Sequence, residues 1–189
     1  MAVGGPFGSS GWTARRLADA ALDAAIPGAG PVLELGAGSG QVTQAVVDAG
    51  WPAEEIVVVE RDADLCRTLE RRFHGLAVLH GDALNVDRVL SGAGVSSVAV
   101  VVSGLPMRAI SPQAAAHCYS SAFRLMPAGG TIIQYTYGFK PPVHPDDILK
   151  LAADFVGREW RNVPPMGIWR YRRTEALEPV SPRLAVAAD

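Results

Sequence analysis

The sequence predicts an α/β fold in which helices cover both faces of a seven-stranded, mostly parallel sheet with an antiparallel edge strand. Strand-like and helix-like segments alternate through most of the chain, a succession that requires right-handed crossovers and a parallel sheet. The run Ile56–Val59 is β-branched throughout, as expected for a parallel strand covered on both faces. Near the C-terminus a short turn joins two strand-like segments, which is typical of antiparallel strands.

Five apolar runs are predicted as the successive parallel strands. They lie at residues 31–35, 56–60, 76–82, 96–104 and 129–137. The antiparallel pair is predicted at 159–161 and 168–173, on either side of a turn at 162–167.

The predicted helices carry apolar residues three and four positions apart. Asp62 and the pair Ser111-Pro112 are residue types that begin a helix, and Gly50 is a type that ends one. The helices are predicted at residues 13–26 and 41–50, after Asp62, from Ser111 to Pro127, and from Pro145 onward with Ile148, Leu151, Ala152 and Phe155 facing inward.

Length and composition indicate one domain with a sizeable core. The chain has 189 residues, of which 49% are hydrophobic, and a formal net charge of -2. We expect a flexible N-terminus at 1–12, the domain at 13–175 and a flexible tail at 176–189. The near-neutral charge argues against a nucleic-acid partner. Two distant cysteines and no secretory or membrane-spanning pattern favour a cytoplasmic protein without a metal site or disulfides.

A glycine-rich turn follows the first predicted strand and opens the next helix. Glycines stand at positions 36, 38 and 40, and Glu34 precedes them. Glycine permits the tight backbone angles of such a turn and the close approach of a ligand. A dinucleotide fingerprint would require glycine at position 41, which is Gln41. The spacing therefore disfavours an NAD-dependent oxidoreductase.

This acid-x-GxGxG arrangement resembles motif I of the class I S-adenosylmethionine (SAM) methyltransferases, which implies a Rossmann-like fold and SAM as the cofactor. The resemblance implies that the methionine portion lies over the glycines and that Glu34 holds its ammonium group. Glu60 ends the second strand, where a carboxylate can accept from both ribose hydroxyls. Asp82 and the backbone of Ala83 follow the third strand and are placed to meet adenine. The expected cofactor-binding residues are Glu34, Gly36, Ala37, Gly38, Gly40, Glu60, Arg61, Gly81, Asp82, Ala83 and Ser103.

Three further segments resemble the bacterial phospholipid N-methyltransferases. They are VVSGLP at 101–106, IIQYTYG at 132–138 and WRNVPPMGIWRYRR at 160–173, and the likeness runs from about Ser9 to Arg173. It implies methyl transfer to the amine of phosphatidylethanolamine or a related phospholipid. The first residues lack the basic amphipathic helix with which that family usually begins, so we expect only weak peripheral contact with a membrane.

The acceptor side has several candidate residues. Tyr137 ranks first as the catalytic group, followed by Tyr135 and by Arg108, which with Arg161 could pair a lipid phosphate. One of the two tyrosines is expected only to pack in the core, since they alternate along a strand. His117, inside a helix, and His144 are further candidates for accepting a proton.

Three alternatives remain open from the sequence. The first is a soluble small-molecule N-methyltransferase. The second is an rRNA adenine N6-methyltransferase, which the chain resembles distantly, although Ser103 and Met107 replace the Asn or Asp and the aromatic residue usual there. The third is a protein that binds SAM without transferase activity.

Overall fold

The computed structural model describes residues 11–144, 151–162 and 164–174. A seven-stranded sheet in the order β3-β2-β1-β4-β5-β7-β6 organises this part of the chain. The strands are β1 (Val32–Leu35), β2 (Ile56–Glu60), β3 (Ala77–His80), β4 (Val100–Ser103), β5 (Thr131–Thr136), β6 (Leu151–Glu159) and β7 (Met166–Arg173). The helices are α1 (Gly11–Ala24), α2 (Gln41–Asp48), α3 (Ala63–Arg72), α4 (Val86–Gly92) and α5 (Pro112–Arg124).

Strands β1 to β5 are parallel, and β7 pairs antiparallel with both β5 and β6. The predicted fold class is therefore confirmed. The chain fills the sheet outward from β1 in one direction and from β4 in the other, so the strand order reverses between these two strands. In open α/β sheets a crevice for ligands opens at such a point, beyond the carboxyl ends of the strands.

Helices cover both faces of the sheet because alternate residues of its central strands are apolar on each face. Leu33 and Val57 point toward α4 and α5, in a cluster that includes Tyr119. Val58 and Val100 point the other way, toward α1, α2 and α3. Strands β1, β2 and β4 are buried along their whole length, which fixes their carboxyl ends rigidly.

The predicted helix starts agree with the structure. The Asp62 carboxylate accepts from the backbone N–H groups of Asp64 and Leu65 and caps α3. Ser111 Oγ accepts from Ala114 N at 3.3 Å, and Pro112 is the first residue of α5. Helix α1 begins at Gly11, two residues before the predicted start at Thr13. Among the described residues, no helix combines the length and apolarity needed to cross a membrane.

The helix predicted from Pro145 onward is wrong over the residues that the structure describes. Leu151 and Phe155 belong to β6, which pairs with β7 over its length. Residues 145–150 lie outside the described residues, as do residues 1–10 of the N-terminal segment predicted at 1–12 and the whole tail predicted at 176–189. Helical spacing of a few apolar residues is a weak preference, and pairing with a neighbouring strand overrides it. The short helix α4 was not predicted.

Candidate functional site

The glycine turn between β1 and α2 uses its three glycines in different ways. All three have positive φ angles, 72° at Gly36, 56° at Gly38 and 79° at Gly40. A Cβ at Gly36 would lie 2.8 Å from the Leu105 side chain, and one at Gly40 would lie 2.7 Å from Leu69. A Cβ at Gly38 would meet nothing within 4 Å. Two glycines thus allow packing inside the protein, while Gly38 borders open space that a ligand can fill.

Glu34 lies in β1, buried beneath this turn. Its Oε2 accepts a hydrogen bond of 2.6 Å from the Thr43 hydroxyl of α2. Burial raises the pKa of the Glu34 carboxyl to about 7, with a smaller contribution from the nearby Glu60 charge, while the Thr43 bond acts in the opposite direction. A carboxyl group in this state favours a cationic partner, which would stabilise its ionised form.

Glu60 at the end of β2 joins its own loop to the glycine turn. Its Oε2 accepts from Gly38 N at 2.9 Å. Its Oε1 accepts from the backbone N–H groups of Arg61 and Asp62 at 2.9 and 3.0 Å. Each carboxylate oxygen can accept two hydrogen bonds. Oε2 therefore retains capacity for a donor from a ligand, and the contact fixes Glu60 against the open turn.

The loop after β3 carries Gly81, Asp82 and Ala83. Asp82 is exposed and accepts from Leu84 N at 2.9 Å. Ala83 is buried, and its carbonyl accepts from the Cys118 thiol of α5. A Cβ at Gly81 would lie 2.7 Å from the Val89 side chain, so this glycine permits close packing of α4. The Arg61 side chain is exposed beside this loop, and its carbonyl oxygen lies 3.0 Å from His80 Nε2.

The loop after β4 packs directly on the glycine turn. Ser103 is fully buried, and a Cβ at Gly104 would lie 2.5 Å from the Gly36 carbonyl oxygen. Adjacent residues of β5 hold this loop. Gln134 Nε2 donates to Leu105 O at 3.1 Å, and the Tyr135 hydroxyl donates to Gly104 O at 3.3 Å. Strand β5 therefore braces the loop after β4, and that loop packs on the glycine turn.

The two candidate tyrosines differ in their surroundings. Burial raises the pKa of the Tyr135 hydroxyl to about 12, so it is a hydrogen-bond donor at neutral pH and not a base. Tyr135 thus holds the β4 loop in place. Tyr137 follows β5 and is exposed. Partial burial raises the pKa of Tyr137, and a hydrogen bond with the Asn162 side chain acts against this effect.

Arg108 lies beside the end of β5. A Cβ at Gly138 would lie 2.9 Å from Arg108 Nη1. The structure therefore brings Arg108 close to the segment that begins with Tyr137. His117 is exposed on α5 near Asp87, and His144 is also exposed. Arg161 stacks on the Trp12 ring with its guanidinium carbon 4.2 Å from the ring centroid.

Three residues of the site were missed from the sequence. Thr43 is buried and bonds Glu34, Gly104 permits the contact of two loops, and Gln134 braces one of them. The signal for Gln134 was available, since an amide within the apolar run at 132–136 must find partners when it is buried. Thr43 and Gly104 gave no comparable signal.

Comparisons with known proteins place this architecture. Residues 36–134, from the glycine turn into β5, match the family model of the TrkA-N domain. An ornithine lipid N-methyltransferase of Singulisphaera acidiphila is 32% identical over 108 residues, which are 56% of this chain and 56% of that protein. The chain thus matches little more than half the length of this curated relative.

Two solved structures share the fold over most of the chain. The CcbJ methyltransferase from Streptomyces caelestis gives a TM-score of 0.63 at 15% identity, over 88% of this chain and 97% of that chain. The glycopeptide N-methyltransferase MtfA, complexed with SAM, gives a TM-score of 0.59 at 15% identity, over 91% of this chain and all (100%) of that chain. These similarities establish the Rossmann-like fold predicted from the sequence.

Proposed function

The chain belongs to the TrkA-N domain family through residues 36–134 and has the fold of the class I SAM-dependent methyltransferases, and from this premise we propose that it transfers a methyl group from SAM to an amine. One observation carries the proposal. The Glu34 and Glu60 carboxyl groups lie beneath and beside the turn at Gly38, which opens onto free space at the carboxyl edge of the sheet. A ligand with a cationic end and a hydroxylated sugar suits this arrangement.

The residues present fit SAM. Glu34 is buried with a pKa of about 7, so an ammonium group above it would draw it into the ionised form. Glu60 Oε2 has capacity for a ribose hydroxyl. Asp82 has a second carboxylate oxygen that can accept from an adenine amino group. The open face of Gly38 leaves room for the methionine portion.

Methyl transfer requires alignment more than acid–base chemistry from this chain. SAM supplies an electrophilic methyl group on a sulfonium, and the transfer forms an N–C bond while the S–C bond breaks. The braced loops after β1 and β4 hold donor and acceptor in line and exclude water from between them. The Tyr137 hydroxyl can accept a hydrogen bond from the neutral amine and orient its lone pair. Arg108, beside Gly138, can pair an anionic group of the acceptor.

The acceptor that we propose is the amine of a membrane lipid, either phosphatidylethanolamine or an aminolipid such as ornithine lipid. Two observations support this choice. Segments 101–106, 132–138 and 160–173 resemble phospholipid N-methyltransferases, and a curated relative with 32% identity is an ornithine lipid N-methyltransferase. Each transfer leaves the nitrogen protonated, so the nitrogen must lose a proton to solvent before the next round, and three rounds would convert a primary amine to a quaternary ammonium.

A labelling assay tests the proposal. The purified chain is incubated with SAM labelled in its methyl group and with phosphatidylethanolamine or ornithine lipid in mixed detergent micelles. We expect label in the organic extract, and less label with Gly38→Ala when SAM is kept near the Kd of the wild type. Label confined to a water-soluble amine would assign the enzyme to small-molecule substrates. SAM binding in calorimetry without label in any amine would contradict the transferase proposal.

A further inference from the structure

Large aromatic side chains and arginines are exposed in two neighbouring groups beside the candidate site, one around Arg158 and one where Arg161 stacks on Trp12, and a bond of 3.0 Å from Arg16 Nη1 to the Arg158 carbonyl oxygen joins them. Phe139 is 76% exposed, Trp160 68% and Trp12 55%. We call this the aromatic–arginine surface and define it as Trp12, Arg16, Phe139, Phe155, Arg158, Trp160 and Arg161. Exposed aromatic residues in such a group are unusual on a protein surface that faces only water.

Contacts between the arginines and the rings hold this surface together. The Arg158 guanidinium carbon lies 4.2 Å from the centroid of Phe139, 5.6 Å from that of Phe155 and 5.8 Å from that of Trp160. Arg158 also donates to the Gly138 carbonyl oxygen at 3.3 Å. Arg158 thus joins three of the rings, whose outer parts stay open to solvent.

The local charge is opposite to that of the whole chain. Three arginines lie in the surface, and the acid that pairs with one of them among the described residues is Glu159, which is buried 4.0 Å from Arg16 Nη1. The aromatic–arginine surface is therefore positive, although the chain as a whole has a formal charge of -2. A positive surface with open aromatic rings is complementary to an interface that is negatively charged and partly apolar.

The position of the surface relates it to the acceptor side of the crevice. Strand β6 runs in the same direction as β5, because both pair antiparallel with β7. Trp160 after β6 and Phe139 after β5 therefore lie toward the carboxyl edge of the sheet. Gly138 lies between the two features, since it contacts Arg158 on one side and Arg108 on the other.

We propose that the aromatic–arginine surface binds the interfacial region of a bilayer that contains anionic phospholipid. Phe139 and Trp160 enter the headgroup region, and Arg158 and Arg161 pair with lipid phosphates. This inference rests on the proposed lipid function, because membrane binding would serve to present the crevice to lipid headgroups. Membrane binding itself is measured without any methyl transfer.

Sedimentation with vesicles tests the inference. The full chain is mixed with two kinds of vesicle, one of phosphatidylcholine alone and one that also contains roughly 30% phosphatidylglycerol. This fraction of anionic lipid gives the negative surface potential that attracts basic residues. We expect binding to the anionic vesicles that weakens in high salt. The change Arg161→Glu should weaken it by at least about fivefold, since each basic residue at an anionic surface contributes about that factor. Arg88→Glu is the matched control, because Arg88 is exposed on α4 and the substitution changes the net charge by the same amount.

The aromatic contribution has its own variants. The double change Phe139→Ala with Trp160→Ala should reduce vesicle binding, whereas Trp160→Phe should retain it. Equal binding by the wild type and the double variant would overturn the inference. So would a concentration-dependent dimer, seen without vesicles and lost in the double variant, since the surface would then bind a second copy.

Activity measurements separate the inference from the proposed function. The double variant should methylate lipid in detergent micelles as the wild type does and lose methylation of lipid in vesicles. Vesicle binding that depends on Phe139 and Trp160 in a protein that methylates no lipid would support this inference and contradict the proposed function. Methylation of lipid in micelles by a protein that does not bind vesicles would support the proposed function and contradict this inference.

Discussion

The protonation of Glu34 links the stability of the fold to pH. Its pKa in the folded protein is about 7, above the ordinary value of 4.5, chiefly because the carboxyl group is buried. The folded state therefore holds this proton more tightly than the unfolded state does. The stability that results is fully present below pH 4.5 and is lost as the pH rises through about 7. The difference between the two pKa values corresponds to about 3 kcal/mol.

We expect the change Glu34→Gln to remove this pH dependence. The amide has the same shape, its oxygen can accept from the Thr43 hydroxyl, and it carries no titrating proton. Urea unfolding between pH 5 and pH 8 measures the free energy of unfolding. The wild type should lose stability across this range relative to the variant, and parallel curves for the two proteins would contradict the assignment.

Gly38 should be required for the cofactor more than for the fold. An alanine at this position would adopt a left-handed conformation at a cost of about 1–2 kcal/mol, and its Cβ would point into open space. Gly94→Ala is the matched control, since Gly94 also has a positive φ and nothing within 4 Å of its Cβ position. Both variants should lose similar stability. Calorimetry should give at least about tenfold weaker SAM binding for Gly38→Ala alone, because an overfilled contact costs ~1–3 kcal/mol.

The sequence predicts where these residues lie in the fold, but it does not predict the surroundings of each side chain. Glu34, Gly38 and Glu60 follow from a general rule, since the carboxyl ends of parallel strands meet at one edge. The structure joins two of them through the bond from Gly38 N to Glu60 Oε2, while their role in binding a cofactor stays a prediction. The buried state of Glu34 could not be predicted in the same way, because it depends on how α2 covers the turn through Thr43.

At the scale of elements, β5 connects the core to the crevice through Gln134. This side chain accepts from the Tyr119 hydroxyl of α5 at 3.1 Å and donates to Leu105 O after β4. The change Gln134→Leu would remove the partner of the buried Tyr119 hydroxyl, whereas Leu105 O would keep its bond from Met107 N at 2.8 Å. We expect a loss of about 1–3 kcal/mol for the one buried group that loses its partner.

A double-mutant cycle checks this bracing role. Tyr119→Phe alone should cost about 1 kcal/mol. The combined variant should be less destabilised than the sum of the two single variants, because the hydroxyl that Gln134→Leu orphans is then absent. Additive effects in denaturant unfolding would show that the two side chains do not depend on each other.

Strand β6 illustrates where prediction from local pattern ends. Leu151 and Phe155 stand four residues apart, which is typical of a helix, and the sequence around them contains few β-branched residues. Their strand conformation comes from pairing with β7, and the sequence predicts β7 itself only from residue 168 onward. A partner strand is a property of the tertiary fold, so no window of sequence around β6 contains it.

At the scale of the whole molecule, ligand binding at the carboxyl edge should stabilise the entire sheet. SAM at about 100 times its Kd would add about 2.7 kcal/mol to the free energy of unfolding. In a domain of this size that corresponds to a rise in Tm of roughly 5–10 °C. Scanning calorimetry at the same SAM concentration measures it, with Gly94→Ala expected to show the same rise and Gly38→Ala at most about half of it.

The parallel part of the sheet could be predicted because each of its strands contains a short apolar run that is visible in its own sequence. The aromatic–arginine surface could not, since Trp12, Phe139 and Trp160 come from segments far apart in the chain. Each of these side chains, taken singly, is an ordinary exposed or buried ring. Their proximity follows from α1 packing on β5 and β6, and from the antiparallel return of β7.

The irregularity in β6 controls which side chains this strand presents outward. Phe155 pairs with Trp169 and Gly157 with Ile168, so Val156 has no opposite residue in β7. The extra residue lets Phe155 and Val156 both face solvent, although neighbours in a regular strand point to opposite faces. Phe155 lies opposite Trp169 and Arg158 opposite Gly167, and these two partners are two residues apart in β7, so Phe155 and Arg158 share a face of the sheet. In a strand without the extra residue, side chains three positions apart would point to opposite faces. The irregularity at Val156 thus lets the Arg158 guanidinium carbon lie 5.6 Å from the centroid of Phe155.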